Sequence, residues 1–218
     1  MTGFGHEEAR RFYDRVGAWQ DSQAFYEDPA TSLLIEHADL SHAASVFEFG
    51  CGTGRFALRL LAEHLGSEAV YRGVDISPKM VQLARARLGP FAPRAQVSLS
   101  GGETLPGAAD GSCDRLVSNY VLELLPADEV AAALEQAHRI LRPGGLLCLT
   151  GITSGVGFVS RFVMGSWVRV SKVLPTLVGG CRPLDVRPLL SGRAWQLCHD
   201  DTVVAYGVAS QVLVAARC

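Results

Sequence analysis

The chain has 218 residues, of which 48% are hydrophobic and 19% charged, with a formal net charge of −2. That composition is too apolar for a disordered protein and rich enough to fill a sizeable core. The near-neutral charge gives no global electrostatic reason to expect a nucleic-acid partner, and none of the six cysteines forms a CxxC pair, so neither a disulfide framework nor a zinc site is expected.

Residues 1–44 read as helical cover, with Phe12, Tyr13, Val16 and Trp19 at near-helical spacing, the usual mark of core packing. Met1–Arg15 carries Glu7, Glu8, Arg10 and Arg11 and no apolar stretch, so no secretory signal is visible and a reducing cytoplasm is expected. From Ser45 onward short apolar runs alternate with helical patterns, which predicts a parallel sheet covered by helices. Strands are expected at Ser45–Phe49, Val70–Val74, Gln96–Leu99, Asp114–Ser118 and Leu146–Thr150. Helices are expected at Arg55–Leu65, Pro78–Leu88 and Ala127–Leu141, the last stopped by Pro143-Gly144-Gly145. The tail offers two further strands, Ala194–Tyr206 and Gln211–Ala216, around a tight turn at Gly207. A single domain is expected, with cover at 1–44, a core at 45–150, a lid or substrate segment at 151–193 and a closing hairpin at 194–218.

The sharpest signal is Val46-Phe-Glu-Phe-Gly-Cys-Gly-Thr-Gly-Arg55, an apolar strand running into Gly50, Gly52 and Gly54 and then directly into a helix. Glycine lets the backbone approach a ligand closely, and a helix N-terminus offers free N–H groups. The dinucleotide fingerprint G-x-G-x-x-G is the serious rival, but here the third glycine comes one residue early and Arg55 stands in its place. Glu48, two residues before the first glycine, has no role in that fingerprint.

E-x-G-x-G-x-G after a strand resembles the first motif of the class I S-adenosylmethionine-dependent methyltransferases. The resemblance implies that Glu48 helps hold the cofactor ammonium, while Gly50, Cys51, Gly52 and Gly54 wrap its methionine part. In Gly73-Val-Asp-Ile-Ser-Pro-Lys-Met80 it places Asp75 on the ribose hydroxyls, with Ile76 and Met80 flanking the adenine. Ser100-Gly-Gly-Glu-Thr-Leu-Pro106 resembles the G-D-A-E-x-L-P stretch of the ubiquinone and menaquinone biosynthesis methyltransferases. Gly101 replaces the aspartate there, which leaves the backbone of Gly102 and Glu103 to hold the adenine. Cys113–Leu125 is similar to the family's fourth strand and active-site loop, and places Asn119 and Tyr120 at the reacting methyl. The family often carries histidine near the Glu123 position, so no acid–base role transfers. His138–Gly145 completes five ordered motifs over residues 45–150, and Phe12–Trp19 resembles a Y-D-x-x-A element that carries over Tyr13.

The resemblance implies a Rossmann-like α/β fold, with a seven-stranded, mostly parallel sheet, one antiparallel strand in the C-terminal hairpin and helices on both faces. It also implies an enzyme that uses S-adenosylmethionine. Methyl transfer from a sulfonium is an in-line displacement in which orientation supplies on the order of 7–11 kcal/mol. A general base is needed only for a protonated acceptor; the candidates are Tyr13, Tyr120, Glu123 and His199, and none stands out.

Acceptor identity is expected in the segment after the fifth strand. On a helical wheel over Gly157–Gly179, Arg161, Gly165, Arg169 and Lys172 form one stripe. Val159, Phe162, Val163, Val170, Val173, Leu174 and Leu177 cover the other face, and Trp167 flanks them. Such a helix either closes over the pocket or lies in a membrane interface, and both imply a hydrophobic acceptor. Arg182 and Arg187 are placed near the pocket mouth, where they would meet an anionic group. This layout is loosely similar to the small soluble phosphatidylethanolamine N-methyltransferases, so a phospholipid amine is one expected acceptor. A quinone-like or secondary-metabolite acceptor is the alternative, and a non-catalytic cofactor-binding module stands behind both.

Overall fold

The computed structural model describes residues 6–101, 108–173, 179–192 and 194–218, with the backbone alone at Lys172. Gly102, Glu103, Leu174 and Leu177 lie outside the described residues. Seven strands form one sheet: β1 (Ser45–Phe49), β2 (Val70–Asp75), β3 (Ala95–Leu99), β4 (Cys113–Asn119), β5 (Leu141–Ile152), β6 (Trp195–Ala205) and β7 (Val208–Arg217). They lie in the order β3-β2-β1-β4-β5-β7-β6. All pairs are parallel except those of β7, which is antiparallel to both β5 and β6.

The period-two alternation of the strands explains the layering. Val46, Cys148, Val212 and Val214 enter one core, with Ala30 and Leu34 of α2 (Ala24–His37), Ala57 of α3 (Arg55–Arg59) and Ala84 of α4 (Pro78–Leu88). Their chain neighbours Phe47, Leu147, Leu149, Leu213 and Ala215 enter the opposite core, with Val130, Leu134 and Ala137 of α5 (Ala127–Ile140). Because β1 sits between β2 and β4, the strand order reverses there. A crevice therefore opens at the carboxyl ends of those strands.

Several boundaries differ from the sequence reading. The helix after β1 keeps α geometry only to Arg59 and widens into a π turn at Leu60–His64, closed by the Leu65 N–H to the Leu60 carbonyl at 2.8 Å. The helix α5 ends at Ile140, and Pro143–Gly145 is a bulge inside β5: Cys113 pairs with Leu141, and Arg115 next pairs with Leu146. The amino-terminal cover is α1 (His6–Val16), a 3₁₀ segment (Gly17–Gln23) and α2. No residue of α1 is fully buried, and Trp19 is 78% exposed rather than in the core. The cause is Gly17, whose φ of +52° ends the α-helix and swings Trp19 out of register with Phe12 and Tyr13. After β5 the chain forms α6 (Gly157–Val173). Among the described residues, no helix is long and apolar enough to cross a membrane.

Candidate active site

A cavity of about 240 Å³ fills the crevice at the carboxyl ends of β1, β2 and β4. Its floor is the turn after β1. The amides of Gly50 and Cys51 both donate to the Val74 carbonyl, at 2.9 and 3.0 Å, which folds the turn over the end of β2. Gly50 has φ +77°, and a Cβ there would lie 2.2 Å from Val121 Cγ2. Gly54 has φ +75° and packs on Ala84 of α4, where a Cβ would stand 3.0 Å from its Cα. Only glycine satisfies both demands.

Asp75 joins this turn to the next helix. Its Oδ2 accepts from the Gly52 amide and its Oδ1 from the Ser77 amide, both at 2.9 Å. Burial raises its carboxyl above the usual value, and the two amides oppose that rise. Ser77 then caps α4, its Oγ accepting from the Met80 amide at 3.1 Å, with Pro78 in the first turn. Glu48 is buried in the cavity wall and accepts from the Tyr71 hydroxyl at 2.5 Å. Burial pushes its carboxyl up to about 7, against the hydrogen bond from Tyr71 and the pull of the nearby Asn119 amide. Asn119 accepts from the Thr150 hydroxyl at 2.8 Å, and its buried Nδ2 has no partner within hydrogen-bond distance.

The opposite wall comes from the amino-terminal cover. Thr53 of the turn donates to Asp21 at 2.6 Å, and Arg87 of α4 bonds both, at 2.7 Å each. Burial raises Asp21, but the bonds from Arg87 and Thr53 outweigh it and hold the carboxyl below its ordinary value. Asp14 accepts from the Ser77 hydroxyl at 2.6 Å, and His6 pairs with Glu129 of α5 at 2.8 Å. Tyr13 donates to the Gly179 carbonyl at 3.4 Å, and its phenol is raised well above the ordinary value, first by burial and then by nearby Cys181 and Glu123. Glu27 of α2 also lines the cavity. Burial pushes it up to about 7, and Arg55, at 3.6 Å, opposes that while bonding Asp28 at 2.6 Å.

Of the residues singled out from sequence, Tyr13, Glu48, Gly50, Cys51, Gly52, Asp75, Ile76, Met80, Asn119 and Tyr120 line this one cavity. Gly54 stands behind it, as the left-handed residue that starts α3. Tyr120, at φ +57°, turns its hydroxyl away to Ser210 at 2.9 Å. Glu123 is outside the lining: it is buried, accepts from the Ile152 amide at 2.9 Å and packs against Gly151, so it serves as a brace between β4 and β5. His199 is also outside, stacked on His37 of α2 with ring centroids 3.6 Å apart. The substrate-side residues Trp167, Arg182 and Arg187 are likewise outside the lining. Trp167 donates to the Cys181 carbonyl at 3.0 Å, Arg182 to the Leu125 carbonyl at 2.7 Å, and Arg187 grips Asp185 at 2.8 Å. No described residue of α6 lines the cavity.

The sequence reading missed Asp21, Glu27, Thr31 and Arg55. A signal was present for two of them. Glu27 and Thr31 stand four residues apart, beside buried Tyr26, Ala30 and Leu34, a polar pair on the inner side of a helix.

Residues 46–145 match the methyltransferase domain family. The carboxy-S-adenosyl-L-methionine synthase of Chromohalobacter salexigens is 31% identical over 117 residues, covering 54% of this chain and 43% of that protein. The malonyl-(acyl-carrier protein) O-methyltransferase of Erwinia pyrifoliae is 33% identical over 143 residues, covering 65% and 49%. The chain thus spans about half or less of the length of these curated relatives. Among solved structures, the N-methyltransferase NodS of Bradyrhizobium japonicum, in complex with S-adenosyl-L-homocysteine, superposes with a TM-score of 0.70 at 15% identity over 97% of both chains. The fold is the Rossmann-like methyltransferase fold.

Proposed function

We propose that this chain, whose residues 46–145 form a class I S-adenosylmethionine-dependent methyltransferase domain, transfers a methyl group to a hydrophobic small molecule. One observation carries the reading. Asp75 lies in the cavity wall with each carboxylate oxygen satisfied by one backbone amide, so each keeps acceptor capacity for a vicinal diol. The surrounding residues fit the rest of the cofactor. The carboxyl of Glu48 suits an ammonium group, the open backbone at Gly52 suits the methionine chain, and Ile76 and Met80 offer apolar faces to a purine. The orphaned Asn119 amide supplies a donor to a carboxylate or a ribose oxygen. When bound, the cofactor supplies an electrophilic methyl on a positively charged sulfur.

The protein's part is then to orient, exclude water and hold charge. Phe56, Val121, Leu124 and Leu125 give the cavity an apolar wall for the acceptor. Glu27 and Tyr13 are the polar groups placed to receive a hydrogen bond from an acceptor amine or hydroxyl. A quinone-like or secondary-metabolite acceptor fits this wall better than a phospholipid amine, because Arg182 and Arg187 are both engaged within the protein. Calorimetry with S-adenosylmethionine, S-adenosylhomocysteine and NAD tests the cofactor assignment. Binding of both sulfur ligands is expected, and NAD binding with no response to either would overturn it. Mass spectrometry of metabolite and lipid extracts incubated with methyl-labelled cofactor then identifies the acceptor.

A further inference from the structure

The helix α6 is seated the opposite way from an ordinary amphipathic helix. Ser160 and Met164 face the protein, and Trp167 packs on Tyr26 with ring centroids 6.3 Å apart. Three large apolar residues nevertheless face out: Phe158 is 90% exposed, Val159 68% and Phe162 71%. Arg161 and Arg169 are exposed among them, and neither forms an ion pair among the described residues. The helix contains no Asp or Glu, although the whole chain is net negative.

This surface continues onto the β6–β7 hairpin tip. Gly207 meets Val163 of α6, where a Cβ would stand 2.7 Å from Val163 Cγ2. Beside it Tyr206 is 80% exposed and packs edge-on against Phe25, itself half exposed, at 5.4 Å. Because β6 runs parallel to β5, the tip and the start of α6 stand at the carboxyl edge of the sheet, the edge that holds the cavity. Exposed aromatic and aliphatic residues, with unpaired cations on a helix that has no Asp or Glu, match an interface of acyl chains and negative headgroups.

We propose that the outer face of α6, with the Tyr206 tip, is a docking surface for an anionic lipid bilayer. It would bring the cavity edge to the layer in which apolar acceptors dissolve, and it stands apart from the cofactor assignment because it needs no cofactor. The test is co-sedimentation of the full chain with vesicles of phosphatidylglycerol and phosphatidylcholine, or of phosphatidylcholine alone. The expected result is binding to the anionic vesicles at low ionic strength and its loss at about 1 M salt, where the Debye length is about 3 Å. The double variant Arg161→Gln/Arg169→Gln should bind about 30-fold more weakly, at about fivefold per cation. Phe158→Ser/Phe162→Ser should lose at least about tenfold. Both pairs are exposed, so thermal melting and S-adenosylhomocysteine affinity should stay at wild-type values. Wild type left in the supernatant would overturn the proposal, as would equal binding to neutral vesicles or wild-type binding by the phenylalanine variant. So would a dimer in sedimentation velocity that Phe158→Ser/Phe162→Ser converts to monomer, since a second copy would then be the occupant.

Discussion

Replacing Gly50 by alanine tests the architecture of the cofactor turn. The substitution imposes two separable penalties. Holding a residue with a Cβ in the left-handed region costs about 1–2 kcal/mol. The new Cβ, 2.2 Å from Val121 Cγ2, also forces a β-branched side chain out of place, at about 1–3 kcal/mol for overpacking. Together they predict a loss of about 2–5 kcal/mol, or a fall in Tm of roughly 4–20 °C for a chain of this size. Thermal and urea denaturation of Gly50→Ala, Val121→Ala and the double variant form a cycle. Shortening Val121 relieves the clash and leaves the φ strain, so a favourable coupling of about 1–3 kcal/mol is expected. Gly66→Ala is the control, because open space surrounds that position. If Gly50→Ala melts with the wild type, or the cycle shows no coupling, the turn is not built as described.

Asp75→Ala should weaken S-adenosylhomocysteine binding about 10- to 1000-fold and also lower stability by about 1–3 kcal/mol, since it strands the Gly52 and Ser77 amides; calorimetry and melting read the two separately. Glu48, with its carboxyl at about 7 in the folded chain against 4.5 when unfolded, favours the ligand-free fold fully below pH 4.5 and loses that contribution as pH rises through 7. Denaturation at pH 5 and pH 8 should therefore show Glu48→Gln gaining up to about 3 kcal/mol on wild type between the two, and parallel behaviour would contradict the burial of that group. Arg87→Ala should cost about 1–2 kcal/mol at neutral pH by freeing Asp21 and Thr53. Asp21 has a depressed carboxyl, so this difference should be present above its unfolded value of 3.8 and shrink as pH falls below it; a gap constant down to pH 2.5 would mean that Arg87 acts through packing alone.

The strand-and-turn skeleton was legible because its determinants are local. Glu48 and Asp75 sit at strand ends and the three glycines in the turn that follows the first strand, where a few dihedrals and hydrogen bonds decide their place. The basic loop residues were not legible in that way. Arg182 and Arg187 read as free cations, but one finds a carbonyl at Leu125 and the other a carboxylate at Asp185. A helical wheel likewise sorts α6 into stripes without saying which stripe faces in. Met164 and Ser160, two modest residues, are the ones buried, while Phe158 and Phe162 remain outside. Glu27 and Arg55 escaped notice because they meet only when α2 folds back onto the cofactor turn. His199 owes its place to His37, distant in sequence.

The insertion of β7 between β5 and β6 sets an order of events during synthesis. It is the last of the seven strands along the chain, yet it contributes Val212 and Val214 to one core and Leu213 and Ala215 to the other. While the ribosome is still delivering β6, one edge of β5 has no hydrogen-bonding neighbour and both hydrophobic layers lack a wall. A nascent chain halted before residue 208 therefore presents an open, apolar strand, Leu146–Ile152, ready to pair with any exposed strand it meets. The closing hairpin turns a sticky intermediate into a sealed sheet, and co-translational folding of this protein should reach protease resistance only when Val208–Arg217 has left the exit tunnel.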